Sequence, residues 1–245
     1  RMTRSSNTEG KPIVERVCRI ADLPADAMAV LALAERASIE CGADWLRLLT
    51  EHVMSGEADT GLLVLREDGV CKAVWPLRCG AEAGALGNYY TALYQPAHAA
   101  DASPDGLRAL ARALRRQGIG RGAYLFGPMD PEAPSFSAME QALRQAGLAT
   151  FRYYRFGNWY LPSAGVDWAQ YFAARKGGLR STVRRMGKKF SADGGTMELI
   201  TGGDRLEAGI AAYDAVYASS WRQAEPYPQF IRVLMGNWSE RGWLR

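Results

Sequence analysis

The spacing of apolar positions changes along the chain, and each change predicts an element. Ile13 to Ile20 alternate closely enough to predict a strand. Two helical stretches follow. One runs from about Asp26 to Glu40 and is rich in Ala and Leu. The other starts near Asp44 and places Trp45, Leu48, Leu49 and His52 on one face. The apolar runs 61–66 and 70–78 flank Asp68-Gly69, a dipeptide that predicts a hairpin turn. Residues 85–94, which contain Asn88, Tyr89, Tyr90 and Thr91, are expected as a further strand, and 97–101 as a loop. Ser103-Pro104 reads as an N-cap followed by a first-turn proline. The helix it opens buries Leu107, Leu110, Ala111 and Leu114 and stops at Gly118. A short strand over 124–126, a helix over 135–145 with Phe136, Met139 and Leu143 inward, and a long aromatic strand over 151–161 complete the order. Hairpins mixed with crossover helices imply an α/β (α+β) architecture with a mixed sheet.

At Pro162 to Gly165 the pattern restarts. Asp167 is a candidate cap for a short helix with Trp168, Tyr171 and Phe172 inward, and Gly177-Gly178 is expected to interrupt the chain. Leu179, Val183, Met186 and Phe190 then recur at i, i+4, i+7 and i+11, a helical stripe. Residues 196–201 predict a strand. Leu206, Ile210, Tyr213 and Tyr217 stripe one helix, and Phe230, Leu234 and Trp238 another. Trp243, Leu244 and Arg245 read as the start of a strand. The expected organisation is a first unit over 13–161 and a second over 166–245. The second has too few strands to close a sheet by itself and is expected to be incomplete.

Composition adds exclusions. With 48% apolar and 23% charged residues among 245, the chain is globular in type. Two histidines, His52 and His98, exclude a multi-histidine zinc site, and no metal is expected. Cys18, Cys41, Cys71 and Cys79 form no Cys-x-x-Cys pair and read as reduced cytoplasmic cysteines. No apolar run approaches the length of a membrane span, and the polar Arg1 to Pro12 has no signal-peptide core. The chain opens Arg1-Met2, which does not read as a natural initiation.

Charge changes the picture most. Of the 30 Lys and Arg, seven (Arg175, Lys176, Arg180, Arg184, Arg185, Lys188 and Lys189) fall within 175–189, where there is no acid. Without them, 23 basic residues face 26 acidic ones, so the net +4 comes from this one segment.

The order of elements resembles the GNAT N-acetyltransferase fold, and the tandem arrangement resembles its FemAB-like, BioF2-like acyltransferase branch. The residues that carry the resemblance are Gly87 to Thr91, Phe156 to Tyr160, Leu179 to Arg185, Ser220 to Arg222 with Glu225-Pro226, and Gly242 to Arg245. It covers the chain from about residue 43 onward. In the family the chain continues past the Gly-Trp-Leu-Arg segment into strands of the second unit, and here it stops. The resemblance implies an N-acyltransferase that moves an acyl group from acetyl-CoA or another acyl-CoA to an amine, in cell-envelope or exopolysaccharide biosynthesis. Such enzymes cradle the CoA pyrophosphate in an Arg/Gln-x-x-Gly-x-Gly/Ala loop at a helix N-terminus. Arg115 to Gly120, Gln117 to Gly122 and Arg144 to Ala149 match that pattern, but each lies where a helix ends and reads as a glycine C-cap. Donor binding, if any, is therefore expected in the second unit, in the part that would lie beyond Arg245.

The candidate catalytic residues are Glu225 and Tyr90. Pro226 holds Glu225 extended in a loop, where its carboxylate would take a proton from an amine; the alternative is a helix-terminus or salt-bridge acid. Asn88, Tyr89 and Trp221 are candidate substrate-binding residues. In a strand Tyr89 and Tyr90 would point to opposite faces, one into the core and one into a cleft. Arg180, Arg184, Arg185 and Lys188 are candidate cofactor-binding residues, with Arg180 and Arg184 one turn apart. Three readings of this basic helix stand side by side: a solvated polar face, a phosphate site for CoA or an aminoacyl-tRNA, and a face drawn to an anionic membrane surface. The absence of a long heptad run counts against a tRNA-dependent transferase of the Fem type. A non-catalytic binding module that uses the basic helix is the other alternative.

Overall fold

A computed structural model describes residues 11–54, 60–120, 122–157, 159, 161–162, 164–221 and 223–245. Asn158, Tyr160, Ser163 and Arg222 of the sequence motifs, and the terminus through Gly10, lie outside the described residues. The chain is α+β and divides into two compact units. The first takes the described residues up to Tyr153 together with 221–235, and the second takes 154–220 with 236–245. Segment 221–235, which carries Trp221 and Glu225, therefore belongs to the first unit rather than to the second.

The first unit is built on β1 (Ile13–Val17), β2 (Thr60–Glu67), β3 (Val70–Arg78), β4 (Gly84–Ala85) and β5 (Ala97–His98). The order is β1-β2-β3-β4, with β5 also on β3, and every pair is antiparallel. Among the described residues the parallel component is two isolated bridges, Gly80 to Gly120 and Gly84 to Leu125. Asp68 and Gly69 form the hairpin turn with φ of 50° and 80°, the conformation that suits strand twist and that glycine adopts without strain.

Helices α1 (Ala25–Glu35) and α2 (Ala43–His52) precede the hairpin, and α3 (Pro104–Arg116) and α4 (Pro134–Gln145) follow it. Leu63, Leu65, Ala73, Trp75 and Leu77 pack with Leu107, Leu110 and Leu114 of α3 and with Met139 and Leu143 of α4. The alternate residues Leu62, Val64 and Val74 are also buried, and α1 packs on β3. A sheet covered on both faces explains why these strands read as continuous apolar runs rather than alternating ones. The Ser103 hydroxyl accepts from the Gly106 N–H, the expected N-cap. Gly118 and Gly147 follow α3 and α4 with φ of 66° and 83°, as C-terminal caps.

Several expected strands do not form. Of 85–94 only Ala85 pairs, as the end of Gly84–Ala85, and of 124–126 only Leu125 makes a bridge. The aromatic run over 151–161 has no ladder in its described residues, and Phe151, Tyr153, Tyr154 and Trp159 are exposed. The expected loop over 97–101, by contrast, contributes β5.

The second unit is helical: α5 (Trp168–Ala173), α6 (Gly177–Ala192), α7 (Leu206–Ser219) and the C-terminal turns of α8 (Pro228–Glu240). Asp167 and Gln170 form a capping box at α5. Gly177 and Gly178 do not break the chain there; they form the first turn of α6. Residues 196–201 and 243–245 are not strands. An isolated strand has no ladder to join, and Ile210 is the one buried residue among those described in this unit. Leu244 and Trp243 donate their N–H groups to the Trp238 carbonyl and close the end of α8.

Candidate functional site

The segment after β4 carries the first group of candidates. Its ends are tied to the core: Leu86 N–H and Tyr94 Oη both donate to the Pro76 carbonyl, at 3.2 and 3.0 Å, and Tyr94 N–H donates to the Pro128 carbonyl at 2.6 Å. Glu40 Oε2 accepts from Leu93 N–H at 2.6 Å. Burial raises the Glu40 carboxyl above its ordinary range, against the pull of the Leu93 and Ala92 amides. Burial also pushes the Cys41 thiol up to about 12, so the thiolate that a nucleophile would need is not formed there.

Between these anchors the chain turns. Asn88 Oδ1 accepts from Tyr90 N–H at 3.0 Å, and the Asn88 carbonyl accepts from Thr91 N–H at 3.0 Å, an Asx-turn. Tyr89 and Tyr90 therefore do not point to opposite faces. Their rings lie against each other with centroids 4.2 Å apart. Tyr90 also meets Phe230 at 5.0 Å and Tyr227 at 6.1 Å, and Phe230 meets Trp45 edge-on at 5.4 Å. This aromatic stack holds 221–235 on the first unit, and its base, Phe230, is fully buried.

Tyr89 Oη donates to Glu225 Oε1 at 2.9 Å, joining residues 136 positions apart. One carboxylate oxygen is thereby fixed beside an exposed phenol ring, and Glu225 itself is half-buried. Tyr90 Oη and Asn88 Nδ2 are buried without a hydrogen-bond partner among the described residues. Trp221, four positions before Glu225, is 92% exposed and so is not a core residue. A half-buried carboxylate held by a phenol hydroxyl suits a protonated amine, whose charge it can take. Asn88, Tyr89, Tyr90 and Glu225 are thus brought together. Tyr227 and Phe230 join them; the stripe spacing marks Phe230 as inward and Pro226 and Pro228 frame Tyr227, but no spacing rule links either to Tyr90.

The second group lies on α6. Arg180, Arg184, Arg185 and Lys188, with Gly177 and Ser181, line an open concavity of about 490 Å³ on one side of the helix. Arg180 is half-buried, and its Nε has no partner among the described residues. The Arg184 guanidinium sits over the Phe172 ring at 5.4 Å. Among the described residues no group of three or more His, Cys, Asp or Glu is placed to hold a metal ion, and no helix is long and apolar enough to cross a membrane.

Comparisons with protein-family models, with curated proteins and with solved structures give no match.

Proposed function

We propose that the chain is an N-acyltransferase of the FemAB-like type that transfers an acyl group from an acyl-CoA thioester to an amine, with a soluble amine or a cell-envelope precursor as acceptor. The observation that carries the reading is the Tyr89–Glu225 hydrogen bond, which sets the half-buried Glu225 carboxylate beside the exposed Tyr89 phenol. In this reading Glu225 takes the ammonium proton. The amine nitrogen then attacks the acyl carbonyl, the C–N bond forms, the C–S bond breaks, and the nitrogen's surplus proton passes to the departing sulfur so that CoA leaves as the thiol. Tyr89 and Tyr90 position the acceptor in the first unit.

A second reading, a non-catalytic module that holds a polyanion, is favoured by the acid-free run of cations over 175–189. Thiol release from acetyl-CoA with a panel of amines separates the two. Glu225→Gln is expected to lower kcat/KM about 100-fold or more, the usual worth of a positioned general base, with acyl-CoA binding retained. Tyr89→Phe is expected to cost about tenfold, since it frees the carboxylate without removing it. Full turnover in Glu225→Gln, or no thiol release with any amine, overturns the transferase reading.

A further inference from the structure

Helix α6 carries two features that the acyltransferase reading does not use together. Leu179, Val183, Met186 and Phe190 are 51%, 42%, 48% and 46% exposed, although their spacing is that of a buried stripe. At about 100° per residue they occupy an arc of about 60°, and the five cations of the helix spread over about 180° of the rest. Arg180 and Lys189 border the stripe on its two sides, Arg185 lies beyond Lys189, and Arg184 and Lys188 lie opposite. Helix α5 meets the Arg184 side through Phe172, so that contact does not cover the stripe. Trp168, 65% exposed, stacks on the same Phe172.

We propose that α6 docks flat on an anionic lipid surface, with Leu179, Val183, Met186 and Phe190 entering the headgroup boundary and Arg180 and Lys189 pairing with lipid phosphates. A narrow apolar stripe bordered by Lys and Arg is the pattern of an interfacial helix. The charge is complementary to one kind of partner only, because no acid interrupts 175–189. A nucleic acid would engage the cations and leave the stripe in water, which the stripe's composition argues against. A second copy of the chain would bring like charges together. Four half-exposed side chains also fall well short of the roughly 800 Å² that each partner contributes to a stable complex. The long arms of Arg180 and Lys189 let the apolar positions sink while their charges stay at phosphate level. Arg184 and Lys188 remain turned to solution, so lipid docking and a soluble polyanionic donor do not compete for them.

The inference goes beyond the acyltransferase reading and does not depend on it, because the measurement needs neither donor nor turnover. Co-sedimentation with vesicles of phosphatidylcholine alone, and of phosphatidylcholine with phosphatidylserine, is the test. Strong binding is expected only to the anionic vesicles, and it should weaken as salt is raised. Arg180→Gln/Lys189→Gln should lower the partition about 25-fold, at about fivefold for each cation lost. Val183→Asn/Phe190→Asn should lower it about tenfold or more without changing the net charge. Val183, Phe190 and Lys189 are exposed and Arg180 is half-buried, so circular dichroism of the variants should match the parent, and Arg184→Gln, on the opposite side, should bind vesicles within about threefold of the parent. Equal binding to neutral and anionic vesicles, or none, overturns the proposal. So does undiminished binding of the stripe variant, which would leave a purely electrostatic polyanion site. Light scattering that shows a dimer dissociated by Val183→Asn/Phe190→Asn would assign the stripe to a second copy and overturn it equally.

Discussion

His98 lets one pH effect be worked through from structure to measurement. Trp75, fully buried at the centre of β3, donates its indole N–H to His98 Nε2 on β5 at 2.8 Å. The imidazole must therefore be neutral with its proton on Nδ1. Protonation would turn the acceptor into a second donor facing the indole and would put a charge in an apolar setting. Burial accordingly pushes His98 down to about 4 from its ordinary value near 6.5. The unfolded chain takes up the proton below about 6.5 and the native one does not until about 4. Stability is therefore complete above the unfolded value and falls as pH drops between the two. Linkage puts the loss at about 2 kcal/mol between pH 7 and pH 5. Urea unfolding followed by far-ultraviolet circular dichroism at the two pH values measures it. His98→Gln keeps an acceptor for the indole and cannot titrate there, so its loss between the same pH values should be smaller by about 2 kcal/mol. His98→Ala strands the Trp75 N–H and should cost about 2 kcal/mol at pH 7 itself. If His98→Gln loses as much stability as the parent between pH 7 and pH 5, the neutral-histidine account is wrong.

Two further predictions concern the first unit. Asp26 accepts from both terminal nitrogens of Arg66, at 2.7 and 3.0 Å, and from Cys71 N–H at 3.0 Å; the Arg66 hydrogen bond outweighs burial and holds its carboxyl down to about 2. Asp26→Ala should cost about 1–2 kcal/mol at pH 7, a figure reduced for the solvent that still reaches the pair, and the difference from the parent in thermal unfolding should vanish as pH falls from about 4 through about 2. Gly84 has φ of 149°, and a Cβ there would lie 1.9 Å from the Leu125 carbonyl oxygen, so Gly84→Ala should destabilise by about 3 kcal/mol or more, with unfolding showing a lower denaturant midpoint.

The second unit shows where sequence patterns fail without a partner. Residues 196–201 and 243–245 have strand-like composition but no ladder, and the stripe on α6 has helical spacing but no buried face. Pattern records what a segment is able to do, and pairing or burial decides whether it does it. The candidate site divides the same way. Tyr89, Tyr90, Asn88, Trp221 and Glu225 could be selected by residue type, and the α6 cations by their clustering. That Tyr89 meets Glu225 while Arg180 and Arg184 stand in the other unit is not a property of spacing.

What the sequence by itself determined is local. The Asp68-Gly69 turn needs two positive φ values that those residues tolerate, Ser103-Pro104 starts α3 with a hydroxyl that reaches Gly106 N–H, and the Arg175 to Lys189 run places five cations on one helix. Each follows from backbone sterics or periodicity within a few residues. The tertiary structure alone decided that 85–94 turns instead of extending, because its Tyr90 stacks on Phe230 from a segment some 140 positions away. It alone attached 221–235 to the first unit, since the aromatic surface that holds that segment is assembled only when Trp45, Tyr90 and Phe230 meet. Contacts at such separation depend on how much surface the whole arrangement removes from water, a quantity no local pattern encodes.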